Sequence, residues 1–271
     1  MTHIPCLFGI LNITTDSFSD GGAYLDSEKA LEKARTLHAG GAEIIDIGPA
    51  SSHPDSTPVS AQTEIDRLTT IVPALKALNI PISIDSYQTQ TQRWALQQNV
   101  DWMNDIHGFT DPALYSDLAA SDCRLVVMHA IQSAGAATRT APPAGDIFDH
   151  ICRFFDTRLT ELTKAGIDQT RIVIDPGMGF FLGDTPEPSL TMLARIDELK
   201  KIFGLPLLVS VSRKSFLRAL SGRSVEESAP VTLAAELWAA AKGVDYIRTH
   251  DPSQLSDALK IKGHLSGFVK K

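Results

Sequence analysis

The chain has only three cysteines, Cys6, Cys123 and Cys152, and no CxxC pair. An odd, widely spaced set excludes a disulfide framework and a cysteine zinc site. Such residues are expected as small apolar groups in a reducing compartment. Excess positive charge is missing as well. The net charge is −7, so the overall field does not favour nucleic acid or an anionic membrane surface. No apolar run reaches membrane-spanning length, and Met1 to Pro5 lacks the order of a signal peptide. A cytoplasmic protein is expected. Neither a Gly-rich dinucleotide fingerprint after the first apolar run nor GxxxxGK[ST] occurs, which counts against an open nucleotide-binding sheet. No Ser/His/Asp or Cys/His triad is recognisable.

What is present is one unit, repeated. Its clearest copy is Arg171-Ile172-Val173-Ile174-Asp175-Pro176-Gly177. The β-branched run reads as a strand buried on both faces. Pro176 and Gly177 end it at a carboxylate, which is costly to bury without a partner or ligand. Similar apolar runs fall at 6–13, 43–48, 80–85, 102–106, 124–130, 205–211 and 245–250. Helical spacing occupies 26–39, 65–78, 89–98, 112–120, 146–165, 189–203, 232–241 and the chain from 253. Strict alternation predicts parallel strands with crossover helices. Eight units in this length predict a (β/α)8 TIM barrel, a single domain over 1–271.

Polar residues gather where the strands end. Asn12, Asp46, Asp85, Asn104, Asp175, Lys214, Arg248 and His250 all lie at or near a strand's C-terminal end. In a barrel these ends converge on one mouth. Asp85, Asp175 and Asn104 suit a flat, donor-rich heterocycle, whose edge a carboxylate can accept in bidentate fashion. Lys214, Arg248 and His250, with Ser212 and backbone N–H groups of a following helix, suit an anion. Asn12 is a neutral oxygen ligand able to share Mg²⁺ with a diphosphate and with Asp85. The loops 14–22 and 49–58 are long for this fold and polar, which fits binding or movement.

Phe8 to Gly22, reading FGILNITTDSFSDGG, resembles the N-terminal signature of dihydropteroate synthases. Gly41 to Gly48, Asn104-Asp105-Ile106, Met128-His129, Asp175-Pro176-Gly177, Val211-Ser212-Arg213-Lys214-Ser215-Phe216 and Arg248-Thr249-His250-Asp251 resemble the later ones, in order. The resemblance implies an enzyme of folate synthesis that joins p-aminobenzoate to dihydropterin-CH₂-diphosphate and releases diphosphate. It puts Asp85, Asn104, Met128, Asp175, Phe180 and Lys214 around the pterin. Asn12, His53, Arg248 and His250 would hold the diphosphate, with Asn12 and Asp85 on Mg²⁺. Thr14, Phe18, Ser52, Phe181 and Ser212 would line the p-aminobenzoate pocket. Asp46, Asp85, Lys214 and Arg248 would carry the catalysis, Asp46 by positioning loops and assisting proton loss. A homodimer is implied too. No membrane or nucleic-acid partner is expected.

The chain departs from this pattern at two places. The second loop usually reads Gly-Gly-Glu-Ser-Thr-Arg-Pro, and here it is Gly48-Pro49-Ala50-Ser51-Ser52-His53-Pro54. After Asp-Pro-Gly the usual Lys is missing, and Met178-Gly179-Phe180-Phe181-Leu182-Gly183 is about two residues longer. Both features resemble the mobile, sulfonamide-resistant branch. They raise the expectation that Phe180, Phe181 and Leu182 reshape the p-aminobenzoate wall against a tetrahedral sulfonyl group. Two rivals use the same scaffold: a pterin-dependent corrinoid methyltransferase and a non-catalytic pterin-binding protein. Lys214, Arg248 and His250 argue against the first, which has no diphosphate to hold. Retention of partners for Mg²⁺ and diphosphate argues against the second.

Overall fold

The computed structural model describes residues 3–14 and 22–269. Its elements follow the expected alternation: β1 (Cys6–Asn12), α1 (Gly22–Ala39), β2 (Ile44–Gly48), α2 (Ala61–Ala77), β3 (Ile82–Asp85), α3 (Thr89–Gln97), β4 (Trp102–Asp105) and α4 (Tyr115–Ala119). The second half continues with β5 (Arg124–Met128), α5 (Ile147–Lys164), β6 (Ile172–Asp175), α6 (Glu187–Ala194), α7 (Ile196–Phe203), β7 (Leu208–Val209), α8 (Ser215–Ser221), α9 (Ala229–Ala241), β8 (Tyr246–Thr249) and α10 (Pro252–Val269). All strand pairs are parallel, in the order β6-β5-β4-β3-β2-β1-β8-β7. A single bridge between Ile174 and Leu207 joins the two ends, so the sheet is a nearly closed barrel.

Side chains alternate along a strand, and here the alternation stacks two inward layers. Phe8, Ile44, Trp102, Val126, Val173 and Leu208 pack together as the barrel floor, with Tyr246 against them. Phe8 and Trp102 meet edge to face with ring centroids 5.2 Å apart. Two residues further along the same strands come Asp46, Asn104, Met128, Asp175, Ser210 and Arg248. The apolar floor therefore fixes the register that turns these groups inward one layer higher. The opposite faces of the strands pack on the helices, where Ile45, Ile47, Leu68, Leu75, Ile82 and Met103 are fully buried.

Three elements differ from the sequence expectation, one being α8, a helix in the stretch between 211 and 232 where the sequence reading has no helical spacing. The stripe over 189–203 predicts one helix, but the chain bends at Arg195 (φ −104°, ψ 13°) and gives α6 and α7. Arg195 turns outward to Asp146 at 2.8 Å and lies over the Phe148 ring at 3.8 Å. The seventh strand is short because Pro206 has no N–H for a ladder; its carbonyl accepts from Ile174 N at 3.0 Å. No helix among the described residues is long and apolar enough to cross a membrane.

Candidate active site

A recess opens above the barrel floor, lined by Asp85, Asn104, Met128, Asp175, Lys214 and Arg248, among others. Six strand ends and loops therefore bring to one place the groups the sequence placed far apart. The Asp-Pro-Gly turn is built by close approach. Gly177 adopts φ +75°, and a Cβ there would stand 2.4 Å from the His129 carbonyl, so glycine is required. Its N–H donates to Asp175 Oδ1 at 2.8 Å. That bond aims the carboxylate inward.

Arg248 organises the electrostatics. Its Nε donates to Asp46 Oδ2, and its Nη2 donates to Asp85 Oδ2 at 2.6 Å. Burial opposes its charge, but the two carboxylates more than compensate and hold its pKa above the ordinary value. Asp85 is pushed up to about 7, by desolvation first; Arg248 pulls the other way and Asp46 adds to the rise. Asp175 is pushed up to about 6 by burial, against the Gly177 N–H and then Lys214. Burial lowers Lys214 to about 8, and Arg248 adds to the fall. Among the described residues no carboxylate lies within ion-pairing distance of the Lys214 ammonium, which sits 4.8 Å from the centre of the Phe181 ring.

The recess also holds unanswered polar atoms. Asn104 Oδ1 and Ser210 Oγ are buried with no hydrogen-bond partner among the described residues. Leaving such atoms unpaired costs about 1–3 kcal/mol each, a cost that a polar ligand removes. Together with Asp85 and Asp175 they present acceptors, and Lys214 a donor, to one flat guest.

Outside the recess lies a cleft of about 300 Å³. Asn12, at the end of β1, stands on its rim beside Gly48; a Cβ at Gly48 would meet Asn12 Oδ1 at 2.9 Å. Ser52, His53, Phe180 and Phe181 form one wall, and Ser212, Arg213, Ser215 and His250 another. Three loops are tied together there. Ala137 N donates to the Ser52 carbonyl at 3.1 Å, Ile131 N to the Phe181 carbonyl at 2.9 Å, and Gln132 Nε2 to the Phe180 carbonyl at 3.0 Å. The His53 ring meets Phe180 edge to face at 5.9 Å.

Several expected positions are refined. Asp46 is fully buried and lines neither recess nor cleft; its partner is Arg248. Phe180, expected beside the pterin, lines only the outer cleft, whereas Phe181 reaches both. His250 pairs its Nδ1 with Ser212 Oγ at 2.9 Å. Burial, then Arg213 and Arg248, lower its pKa to about 3, so it is neutral. Thr14 is half-buried after β1 and is not among the cleft-lining residues. Phe18 lies outside the described residues. The sequence reading missed Arg218, which lines the cleft from α8. A lone arginine in a short helix carries no periodic signal.

A barrel whose mouth pairs buried acceptors for a flat heterocycle with a cationic side is the architecture of a pterin-binding enzyme. The profile of that family, described as pterin binding enzyme, matches residues 8–250. The chain is 58% identical to the type-2 dihydropteroate synthase of Escherichia coli over 94% of both chains, and 49% identical to the type-1 enzyme of Pseudomonas aeruginosa over 97% of this chain and 94% of that one. Its fold matches a Xanthomonas albilineans dihydropteroate synthase with 4-aminobenzoic acid, at TM-score 0.88 and 31% identity over 97% and 93% of the chains. The chain belongs to the dihydropteroate synthases, in the branch of the type-1, type-2 and type-3 relatives, and is a transferase of folate synthesis.

Proposed function

We propose that this enzyme joins 4-aminobenzoate to 6-hydroxymethyl-7,8-dihydropterin diphosphate by dissociative substitution, and that it is insensitive to sulfonamides. The CH₂–O bond breaks first, and the electron pair leaves with the diphosphate. The amine nitrogen then bonds to the CH₂ carbon and loses one proton to solvent. The observation that carries this reading is the recess itself: Asp85, Asn104, Asp175 and Lys214 converge where a pterin edge would lie. Asp85 and Asp175 accept from its amino and ring N–H groups and stabilise the cationic carbon in a low-dielectric site. Positioning and charge supply the catalysis, without a covalent enzyme intermediate.

Arg248 and Lys214 answer the leaving diphosphate. His250, neutral, contributes a hydrogen bond rather than a charge. Mg²⁺ fits this mouth in a limited way. Among the described residues no three acidic, His or Cys side chains cluster for a metal, and one oxygen of Asp85 already pairs with Arg248. Asn12 on the rim suits an ion held mainly by diphosphate oxygens and water. When bound, the ion supplies charge stabilisation to the leaving group.

The second substrate would stack in the outer cleft, against the wall of Ser52, Phe180 and Phe181. That wall is rigid: both residues are tied through their carbonyls to the loop after β5. A planar carboxylate passes where a tetrahedral, substituted sulfonyl group would clash. Soluble homodimers in the cytoplasm complete the reading.

Incubating the protein with both substrates and Mg²⁺ tests it. Equal amounts of dihydropteroate and diphosphate are expected. Diphosphate without dihydropteroate, or neither, would overturn it. Deleting Phe181-Leu182 should convert the enzyme to a sulfonamide-sensitive one; unchanged inhibition at retained activity would remove that part alone.

A further inference from the structure

α8 carries a second cation into the cleft, one turn beyond Lys214. Arg218 lines the cleft with Ser215 and Val225. Its Nε is buried with no hydrogen-bond partner, and no carboxylate lies within ion-pairing distance among the described residues. Every other cation of the mouth is differently placed. Arg248 is held by two carboxylates. Lys214 faces Phe181. Arg213 is exposed, in the left-handed region at φ +59°. The neighbouring acid, Glu226, is fully exposed. Hydrogen bonds at its own backbone and to Ser224 lower its pKa first, and Arg213 and Arg218 act on it only through Coulomb attraction.

Position separates Arg218 from the pterin recess. Ser215 and Arg218 are three apart on one helix and share a face. Ser215 abuts the turn that carries Phe180 and Phe181: a Cβ on Gly179 would meet Ser215 Oγ at 3.2 Å. Arg218 is absent from the lining of the deeper recess. It therefore lines only the outer cleft, where the second substrate is placed above. A half-buried guanidinium with an unanswered donor is matched by a planar carboxylate, which it can grip through two parallel N–H groups.

Resting on the function proposed above, we infer that Arg218 binds the carboxylate of the aromatic amine substrate and selects for ionised para-carboxylates. Selection would then have two parts, a steric one at Phe180–Phe181 and an electrostatic one at Arg218.

The test compares 4-aminobenzoate with the neutral 4-aminobenzamide, each with saturating dihydropterin diphosphate. Wild-type enzyme should prefer the acid in kcat/KM. Arg218→Gln should shrink that preference on the order of tenfold to a hundredfold, as expected for one charge-assisted hydrogen bond pair. Arg218→Lys should restore part of it, which a merely structural role would not do. Melting curves of both variants guard against misfolding, and Arg218→Lys alone suffices should Arg218→Gln not fold. An acid-to-amide ratio unchanged in the variants overturns the inference. So does a rise in KM confined to the dihydropterin diphosphate, which would assign Arg218 to the other anion. Wild-type enzyme that consumes neither amine overturns the functional reading, and this inference with it.

Discussion

The ammonium of Lys214 lies 4.8 Å from the centre of the Phe181 ring. Both residues line the recess and the outer cleft alike. The two substrate sites thus share a partition, and a change on either side is felt on the other. The contact also helps to hold a half-buried lysine that has no ion-pairing carboxylate among the described residues, since an aromatic face attracts a cation most when water is excluded.

The attraction does not cancel the cost. Burial and then Arg248 lower Lys214 to about 8, so at neutral pH the folded state holds a proton at a penalty. The sign follows from proton binding. Above about pH 8 the folded lysine has released its proton while the unfolded one, near 10.5, retains it, so stability rises with pH over that window. Lys214→Met should therefore raise stability at pH 7 by about 3 kcal/mol, and the gain should vanish toward pH 10.5. Dihydropteroate formation should fall steeply in the same variant. Urea melts at pH 7 and pH 10 check it; equal gains at both would contradict the assignment.

Asp46 is the clearest support of Arg248. It is fully buried, and its Oδ1 has no partner among the described residues, so the contact it makes there is the one ion pair. Removing one member of a buried pair is strongly destabilising, because the other charge stays buried. Asp46→Asn should cost about 3 kcal/mol. Adding Arg248→Met should cost less than the sum of the single changes, with a coupling of about 2 kcal/mol. A double-mutant cycle in urea gives the coupling, and a value near zero would separate the two residues.

The recess predicts a bell-shaped pH profile. Asp175, at about 6, and Asp85, at about 7, must be ionised to accept from the pterin edge. Lys214, at about 8, must keep its proton. Because kcat/KM reports groups of the free enzyme, its value for the dihydropterin diphosphate should rise through about pH 6–7 and fall above about pH 8. Asp175→Asn should lower the maximum and remove part of the acid limb. Stability runs the other way over the acid limb. A carboxylate whose folded pKa is raised contributes stability below its unfolded value and loses it as pH rises through 6–7. A flat activity profile across this range would place other groups in control.

Much of this was legible in the sequence because period-two alternation and strand-end position carry the same message. Asp175 and Asn104 read as strand-end site residues from sequence, while the inward floor under them, Val173 and Trp102, emerges only in the fold. The misreadings have different causes, each one invisible to side-chain pattern: a backbone break, a distant partner and burial. Leu190, Leu193, Ile196 and Leu199 keep a continuous stripe through Arg195, where the backbone bends. Asp46 looks like its neighbours at strand ends, yet its inward turn meets Arg248 from the far side of β1, a contact spanning 202 residues. His250 looks cationic in sequence and is neutral in place, because burial acts on it first.

Arg139 and Asp55 form an exposed clasp over the aromatic wall. Arg139 Nη2 donates to Asp55 Oδ2 at 2.5 Å, Nη1 grips the other oxygen, and the guanidinium lies 5.4 Å from the Phe180 ring centre. A surface ion pair contributes little to global stability, so Arg139→Ala should leave the melting temperature nearly unchanged. Its effect should appear in geometry instead. With one tie between the second and fifth loops lost and the Ala137–Ser52 bond left, Phe180 gains freedom, KM for 4-aminobenzoate should rise a few-fold, and sulfonamide inhibition should strengthen. High salt should mimic the change in the wild-type enzyme, since exposed charges are screened. The reversed pair Asp55→Arg with Arg139→Asp would rebuild the bridge but move the cation off Phe180. Recovery of both kinetic values in that double variant would show that the bridge matters; recovery of neither would assign the effect to the guanidinium stacked on the ring.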